Sequence, residues 1–189
     1  MFKHPFCVII FKKSGENMKE IVNEVLNKMK EIGYGWVEPN GVKHFKSKQN
    51  YFKEFYRIMP IDKILEYKVG TCFESAKLTA YYLKEKGIPS KSYMINYTDP
   101  NKLAKHTFTV CHDDEHFYLV ESSWVNEKIE FDSLEDLITS VIKRYPRMYK
   151  IENLDRNLIH VYEIDEFTDH LSLNDFVEKI KSNEKVIVK

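Results

Sequence analysis

Apolar side chains at Ile21, Val22, Val25, Leu26, Met29 and Ile32 recur with the period of an amphipathic helix. The polar stretch Ser14-Gly15-Glu16-Asn17 offers an entry for that helix, and Gly33 a stop. Ahead of it, residues 5–11 form a short β-branched and aromatic run, which predicts a buried strand. Between residues 34 and 60 the period breaks at Gly35, Pro39, Asn40 and Gly41. The tract is crowded with Tyr34, Trp36, Phe45, Tyr51, Phe52, Phe55 and Tyr56. Core packing is the simplest expectation for these rings, although such a stretch could also line a groove. Pro60 opens a predicted short helix that runs through Tyr67.

The clearest block follows. Val69-Gly70-Thr71 leads into a predicted helix over residues 72–86, closed by Gly87-Ile88-Pro89, with an inward stripe of Cys72, Ala76, Ala80 and Leu83. Three strand-like runs come next, at about 92–97, 106–111 and 116–120, with a turn signal at Asp99-Pro100-Asn101. Residues 133–147 read as one amphipathic helix capped by Ser133. Residues 158–164 alternate as a strand does, and 172–180 form a last helix. Helices beside a local antiparallel meander imply an α+β fold. With no repeat, low-complexity tract or linker, the 189 residues read as a single domain.

Charge narrows the classes of function. The chain has 29 basic and 29 acidic side chains and a formal net charge of zero, so it lacks the basic footprint of a nucleic-acid binder. Lys43, Lys46, Lys48 and Lys53 read as a solvated face. No stretch approaches the roughly 20 apolar residues of a membrane span, and the expected location is cytoplasmic. Three scattered cysteines form no disulfide framework and no Cys-x-x-Cys pair, which fits a reducing compartment. No metal or cofactor is expected: His112-Asp113-Asp114-Glu115-His116 has suitable ligand types but reads as a polar hairpin tip.

Chemistry concentrates on Cys72. The turn at Gly70-Thr71 sets its sulfur at a helix N-terminus, where backbone N–H groups and the helix dipole favour a thiolate. The same N–H groups can receive an oxyanion. The candidate base comes from the hairpin. A two-residue turn at Asp113-Asp114 would pair Cys111 with His116, Val110 with Phe117, Phe108 with Leu119, and His106 with Glu121. Opposed side chains lie about 4.5–5.5 Å apart at Cβ, which brings His106 and Glu121 together. His106, Phe108, Val110, Phe117, Leu119 and Glu121 then share one face, expected to pack on the Cys72 helix. Cys111 falls on the other face and reads as a structural thiol, as does Cys7. Nucleophile Cys72, base His106 and orienting Glu121 are the parts that covalent acyl transfer needs.

The segments Gly70-Thr71-Cys72-Phe73-Glu74-Ser75-Ala76-Lys77-Leu78, Leu83-Lys84-Glu85-Lys86-Gly87-Ile88-Pro89, His106-Thr107-Phe108 and Tyr118-Leu119-Val120-Glu121-Ser122-Ser123-Trp124 resemble the transglutaminase-like core. That superfamily is related to the papain-like cysteine proteases. The resemblance spans about residues 60–125, leaving 1–59 and 126–189 as elaborations of the domain. It implies a catalytic Cys starting a central helix that packs on an antiparallel sheet, and a cysteine hydrolase acting on amide bonds of a peptide or protein. Amine acyl transfer on the same core, or a non-catalytic peptide-binding domain, are the alternatives. Glu121 stands where the family usually has Asp, with Asp132 as the backup acid, and Phe108 stands where a Trp is common. The resemblance also implies a second oxyanion donor upstream of Cys72, with Gln49, Tyr51 and Tyr67 as candidates. Trp124 is expected either to wall the cleft or to cap the core.

Overall fold

A computed structural model describes residues 17–45, 51–124, 128–183 and 185–186. The predicted strand over 5–11 and Gln49 lie outside the described residues. In chain order the elements are α1 (Met18–Met29), β1 (Gly33–Val37), β2 (Lys43–Phe45), α2 (Phe52–Phe55), α3 (Ile61–Tyr67), β3 (Val69–Gly70), α4 (Cys72–Glu85), β4 (Ser90–Asp99), β5 (Lys102–His112) and β6 (Phe117–Val120). After these come β7 (Glu130–Phe131), α5 (Leu134–Ile142), α6 (Tyr145–Tyr149), β8 (Ile159–Ile164), α7 (Leu173–Lys181) and β9 (Lys185–Val186). The fold is α+β. Six strands form an antiparallel sheet in the order β7-β6-β5-β4-β8-β9, and a smaller sheet has the order β2-β1-β3.

The large sheet is covered on both faces. On one, Met94, Cys111, Tyr118, Val120 and Tyr162 meet apolar residues of α1, α4 and α7. On the other, Ile95, Tyr97, Phe108, Val110, Leu119 and Val161 pack on α5 and α6. The face that carries His106 therefore lies against α5 and α6, and the Cys72 helix packs on the opposite face. There, Thr109 Oγ1 donates to the Ala76 carbonyl at 3.0 Å. This corrects the expectation that the His106 face would cover the helix.

Helix α4 is also more central than a single inward stripe suggests. Residues 71–79 are all buried, because α1, α3 and the sheet enclose its first two turns. The predicted helix over 133–147 is divided in two: Pro146 has no N–H to continue the ladder of α5, and α6 begins anew around it.

The start of α4 is held by an unusual cap. Thr71 is the N-cap, and its side chain accepts from Phe73 N–H at 3.2 Å. Fully buried Glu74 reaches back to accept from Thr71 N–H (2.9 Å), Thr71 Oγ1 (2.7 Å), Tyr56 hydroxyl (2.7 Å) and Met59 N–H (3.3 Å). Four donors satisfy a carboxylate that has left water, so its burial is tolerated. Gly70 is part of this arrangement, since an added Cβ would sit 2.5 Å from Glu74 Cβ. Gly70→Ala is therefore expected to destabilise the fold by about 1–3 kcal/mol in denaturant unfolding, the usual cost of overpacking.

Candidate active site

The hairpin that carries His106 differs from expectation in length. Strands β5 and β6 pair His112 with Phe117, Cys111 with Tyr118, Val110 with Leu119 and Thr109 with Val120. Four residues, 113–116, form the loop where two were expected. Asp113 explains the longer turn: its Oδ1 accepts Glu115 N–H at 3.0 Å and His116 N–H at 2.7 Å. The register has moved by two residues. Because the shift is even, no side chain changes face. Glu121 follows β6 as a diagonal neighbour of His106 instead of its direct partner. Glutamate, with its extra methylene, spans the gap, and Glu121 Oε2 lies 3.6 Å from His106 Nε2.

The end of β6 at Val120 creates the site. Leu119 N–H donates outward to the Ile129 carbonyl at 2.8 Å, so Tyr118 and Val120 turn their N–H groups to β5. By the same alternation Thr109 and Cys111 face β6, and Thr107 N–H points at the edge where β6 is missing. The Cys72 thiol lies at that edge, where the side chain and backbone N–H of Thr107 both favour its thiolate. It thereby meets His106 around the border of the sheet and not across one of its faces. The imidazole turns Nε2 to Glu121 and also acts on the Cys72 thiol.

All three groups are nearly inaccessible, with Cys72, His106 and Glu121 at 5%, 1% and 4% exposure. Burial alone would push the Cys72 thiol up. The hydrogen bond and charge of His106, with a contribution from Thr107, outweigh it and bring the thiol below its ordinary value. Burial likewise pushes His106 down, but the Glu121 carboxylate and the thiol raise it to about 9. Both shifts favour a thiolate–imidazolium pair at neutral pH. Glu121 is itself held by Trp124 N–H at 3.1 Å to Oε2 and by the Ser123 N–H. These N–H groups fix the orientation of the carboxylate.

Trp124 was open between two roles, and its position joins them. Its ring stacks on the His106 imidazole with centroids 3.6 Å apart and planes 7° from parallel. Its edge rests on Tyr145 and Tyr149 of α6. An aromatic face over an imidazolium adds a cation–π attraction and locks the ring plane. Asp132 is exposed just past β7, and Glu121 is the carboxylate that pairs with His106. Neither described candidate for the second oxyanion donor is directed at the thiol. Tyr51 packs against Trp36, His44 and Phe55, and the Tyr67 ring lies beneath Lys43 and Lys63.

Cys111 is buried on the face away from His106, and its thiol is pushed up to about 12 by burial and Asp113. Cys7 lies outside the described residues. Among those residues, Cys72 and Cys111 are free thiols, no three His, Cys, Asp or Glu side chains are grouped to hold a metal ion, and no helix is long and apolar enough to cross a membrane. His44 is bonded to Glu38 at 2.7 Å and stacked on Trp36.

Compared with known proteins, the chain matches no family model and no curated protein.

The paired shifts predict a pH profile. Alkylation of Cys72 by iodoacetamide should titrate with a midpoint below the ~8.5 of a free thiol. In His106→Gln the midpoint should rise above ~8.5, since burial, the largest influence, is then opposed only by Thr107. Glu121→Gln should fall between them, because a His106 without its carboxylate holds its proton less tightly. Mass-spectrometric location of the adduct across pH 4–10 measures all three, and a common midpoint would exclude the ion pair.

Proposed function

We propose that this chain is a cysteine-nucleophile hydrolase of the transglutaminase-like, papain-related kind, acting on amide bonds of a peptide or protein through a thioester. The observation that carries the reading is the buried contact of Cys72, His106 and Glu121, with the thiol lowered and the imidazole raised. A structural thiol in a core has the opposite tendency, as Cys111 illustrates.

In this mechanism His106 holds the proton taken from Cys72 Sγ, and the thiolate attacks the substrate carbonyl carbon. The carbonyl π electrons move to oxygen, giving a tetrahedral oxyanion. Cys72 N–H is an orphan donor of the first helical turn, since the first helical bond is Ser75 N–H to the Thr71 carbonyl. It lies beside the sulfur and would receive that oxyanion. Collapse breaks the C–N bond, and the leaving amine takes the proton from His106. Water, deprotonated by His106, then attacks the thioester carbonyl. The acid departs, and Cys72 leaves as thiolate beside a reprotonated His106. Glu121 stays ionised throughout, orienting the ring and stabilising its charge, as carboxylates do in related arrangements. An amine in place of water would give acyl transfer through the same thioester.

The geometry supports this role better than a purely binding one. A peptide groove has no use for a thiol poised against an oriented imidazole, and the alignment includes supporting bonds from Thr107, Ser123 and Trp124. The free thiols of Cys72 and Cys111 fit a reducing, cytoplasmic setting.

Treatment with p-nitrophenyl acetate should yield an acetyl adduct on Cys72, seen by mass spectrometry of quenched protein. Cys72→Ala should remove the adduct, and His106→Gln should slow its formation by about 100-fold or more, the usual weight of a general base. An added primary amine tests the branch point: acetylated amine indicates transfer, and acetate alone indicates hydrolysis. Wild-type protein that acquires no acetyl group on Cys72 would rule the reading out.

A further inference from the structure

An acyl-transfer site normally offers its oxyanion more than one donor, and Cys72 N–H is a single one. The tyrosines around the thiol supply the second. Four described tyrosines lie close enough to Cys72 for its charge to act on their hydroxyls: Tyr34, Tyr56, Tyr145 and Tyr149. Three of them have already committed their proton. Tyr56 donates to Glu74 Oε1 at 2.7 Å, Tyr145 to the Ile95 carbonyl at 2.9 Å, and Tyr149 to the Lys105 carbonyl. The Tyr34 hydroxyl has no hydrogen-bond partner among the described residues.

The sheet register directs Tyr34 to the right place. Strands β1 and β3 are parallel, with Tyr34 beside Gly70. Paired residues of neighbouring strands turn their side chains to the same face. The face to which Gly70 turns is occupied by the first turn of α4, since a Cβ added there would meet Glu74 Cβ. Tyr34 therefore projects over the helix start that bears Cys72. Its ring is 43% exposed, which leaves it open to a substrate. Burial and then the Cys72, Glu74 and Glu121 charges all resist ionisation of its hydroxyl. A neutral hydroxyl that keeps its proton beside a thiolate is a hydrogen-bond donor awaiting an acceptor.

The Thr107 hydroxyl, 1% exposed, also has no hydrogen-bond partner but acts on the Cys72 thiol itself, and Trp36 Nε1 is a further unpartnered donor in the cluster around Cys72. That ring is 1% exposed and closed in by His44, Tyr51 and Phe52, so no substrate oxygen reaches it. We propose that the Tyr34 hydroxyl, with Cys72 N–H, forms the oxyanion hole of this site and that Tyr34 is a catalytic residue. As the oxyanion forms on the attacked carbonyl, Tyr34 donates a hydrogen bond to it and keeps its proton. When the intermediate collapses to the thioester, the bond relaxes. The role rests on the acyl-transfer reading of Cys72.

Two reactions of the same thiol separate the role from its alternatives. Acetylation by p-nitrophenyl acetate passes through an oxyanion, whereas alkylation by iodoacetamide is a direct displacement at carbon and forms none. Tyr34→Phe keeps the ring and removes only the donor. It should slow Cys72 acetylation by about 100-fold, the effect of losing one oxyanion donor, and leave the alkylation rate within about 2-fold of wild type. Undiminished acetylation in Tyr34→Phe would overturn the role while leaving the Cys72 chemistry intact. A parallel loss of both rates would also overturn it, because Tyr34 would then act on the thiolate or on folding. A wild-type Cys72 that alkylates but never acetylates would remove the acyl-transfer reading and this role together.

Discussion

The buried carboxylate of Glu74 is the constraint on which the rest of the site depends. A carboxylate with no water must be met by donors, and here they come from two separate parts of the chain. Tyr56 and Met59 belong to the segment before α3, and Thr71 is the N-cap of α4 itself. Satisfying one side chain therefore fastens the approach segment to the helix start and sets where Cys72 begins. The orphan N–H groups of the first turn are shared between the Thr71 side chain and whatever binds at Cys72. Gly70 makes the approach possible by leaving room for Glu74.

From that fixed point the thiol is delivered to an interruption in the sheet. Had β6 continued past Val120, its backbone would have paired with Thr107, and the sulfur would have had no access to the edge. Because β6 stops, Thr107 N–H favours the thiolate, His106 leans in from one face, and Glu121 and Trp124 follow on the departing chain. The helix and the imidazole lie on opposite sides of the sheet, yet they meet where the sheet has no neighbouring strand. One strand end thus brings together a backbone donor, an imidazole, a carboxylate and an aromatic ring.

Low exposure gives these contacts their strength. In a poorly solvated site the Glu121 charge acts on His106, and His106 on Cys72, with little screening. The same burial acting without a partner has the opposite result at Cys111, whose thiol is pushed up. Two buried cysteines in one small domain are thus separated in chemistry by a single imidazole.

Local rules made the helix start at Cys72 legible. Gly70-Thr71 is a strong entry signal, and the Gly87-Ile88-Pro89 stop sets the far end. The meander and α+β class followed from period-2 runs, and the sharing of one face by His106 and Glu121 survived because any even register slip preserves alternation. Those properties depend on neighbours within a few residues, and a chain carries them in its order of residue types. Other features depend on segments distant in sequence. The loop of the hairpin was decided by Asp113 bonding to Glu115 and His116, and the face on which α4 lies was decided by competition among α1, α5, α6 and α7 for the two sides of one sheet. No local period could reveal that Tyr34 lies beside Gly70, since that register joins strands 36 residues apart. The sequence alone determined which residues have the chemistry to form the site, because side-chain types and turn signals are local. Only the tertiary structure decided how they meet, because the meeting point is a strand edge, and an edge exists only once every strand has chosen its partners.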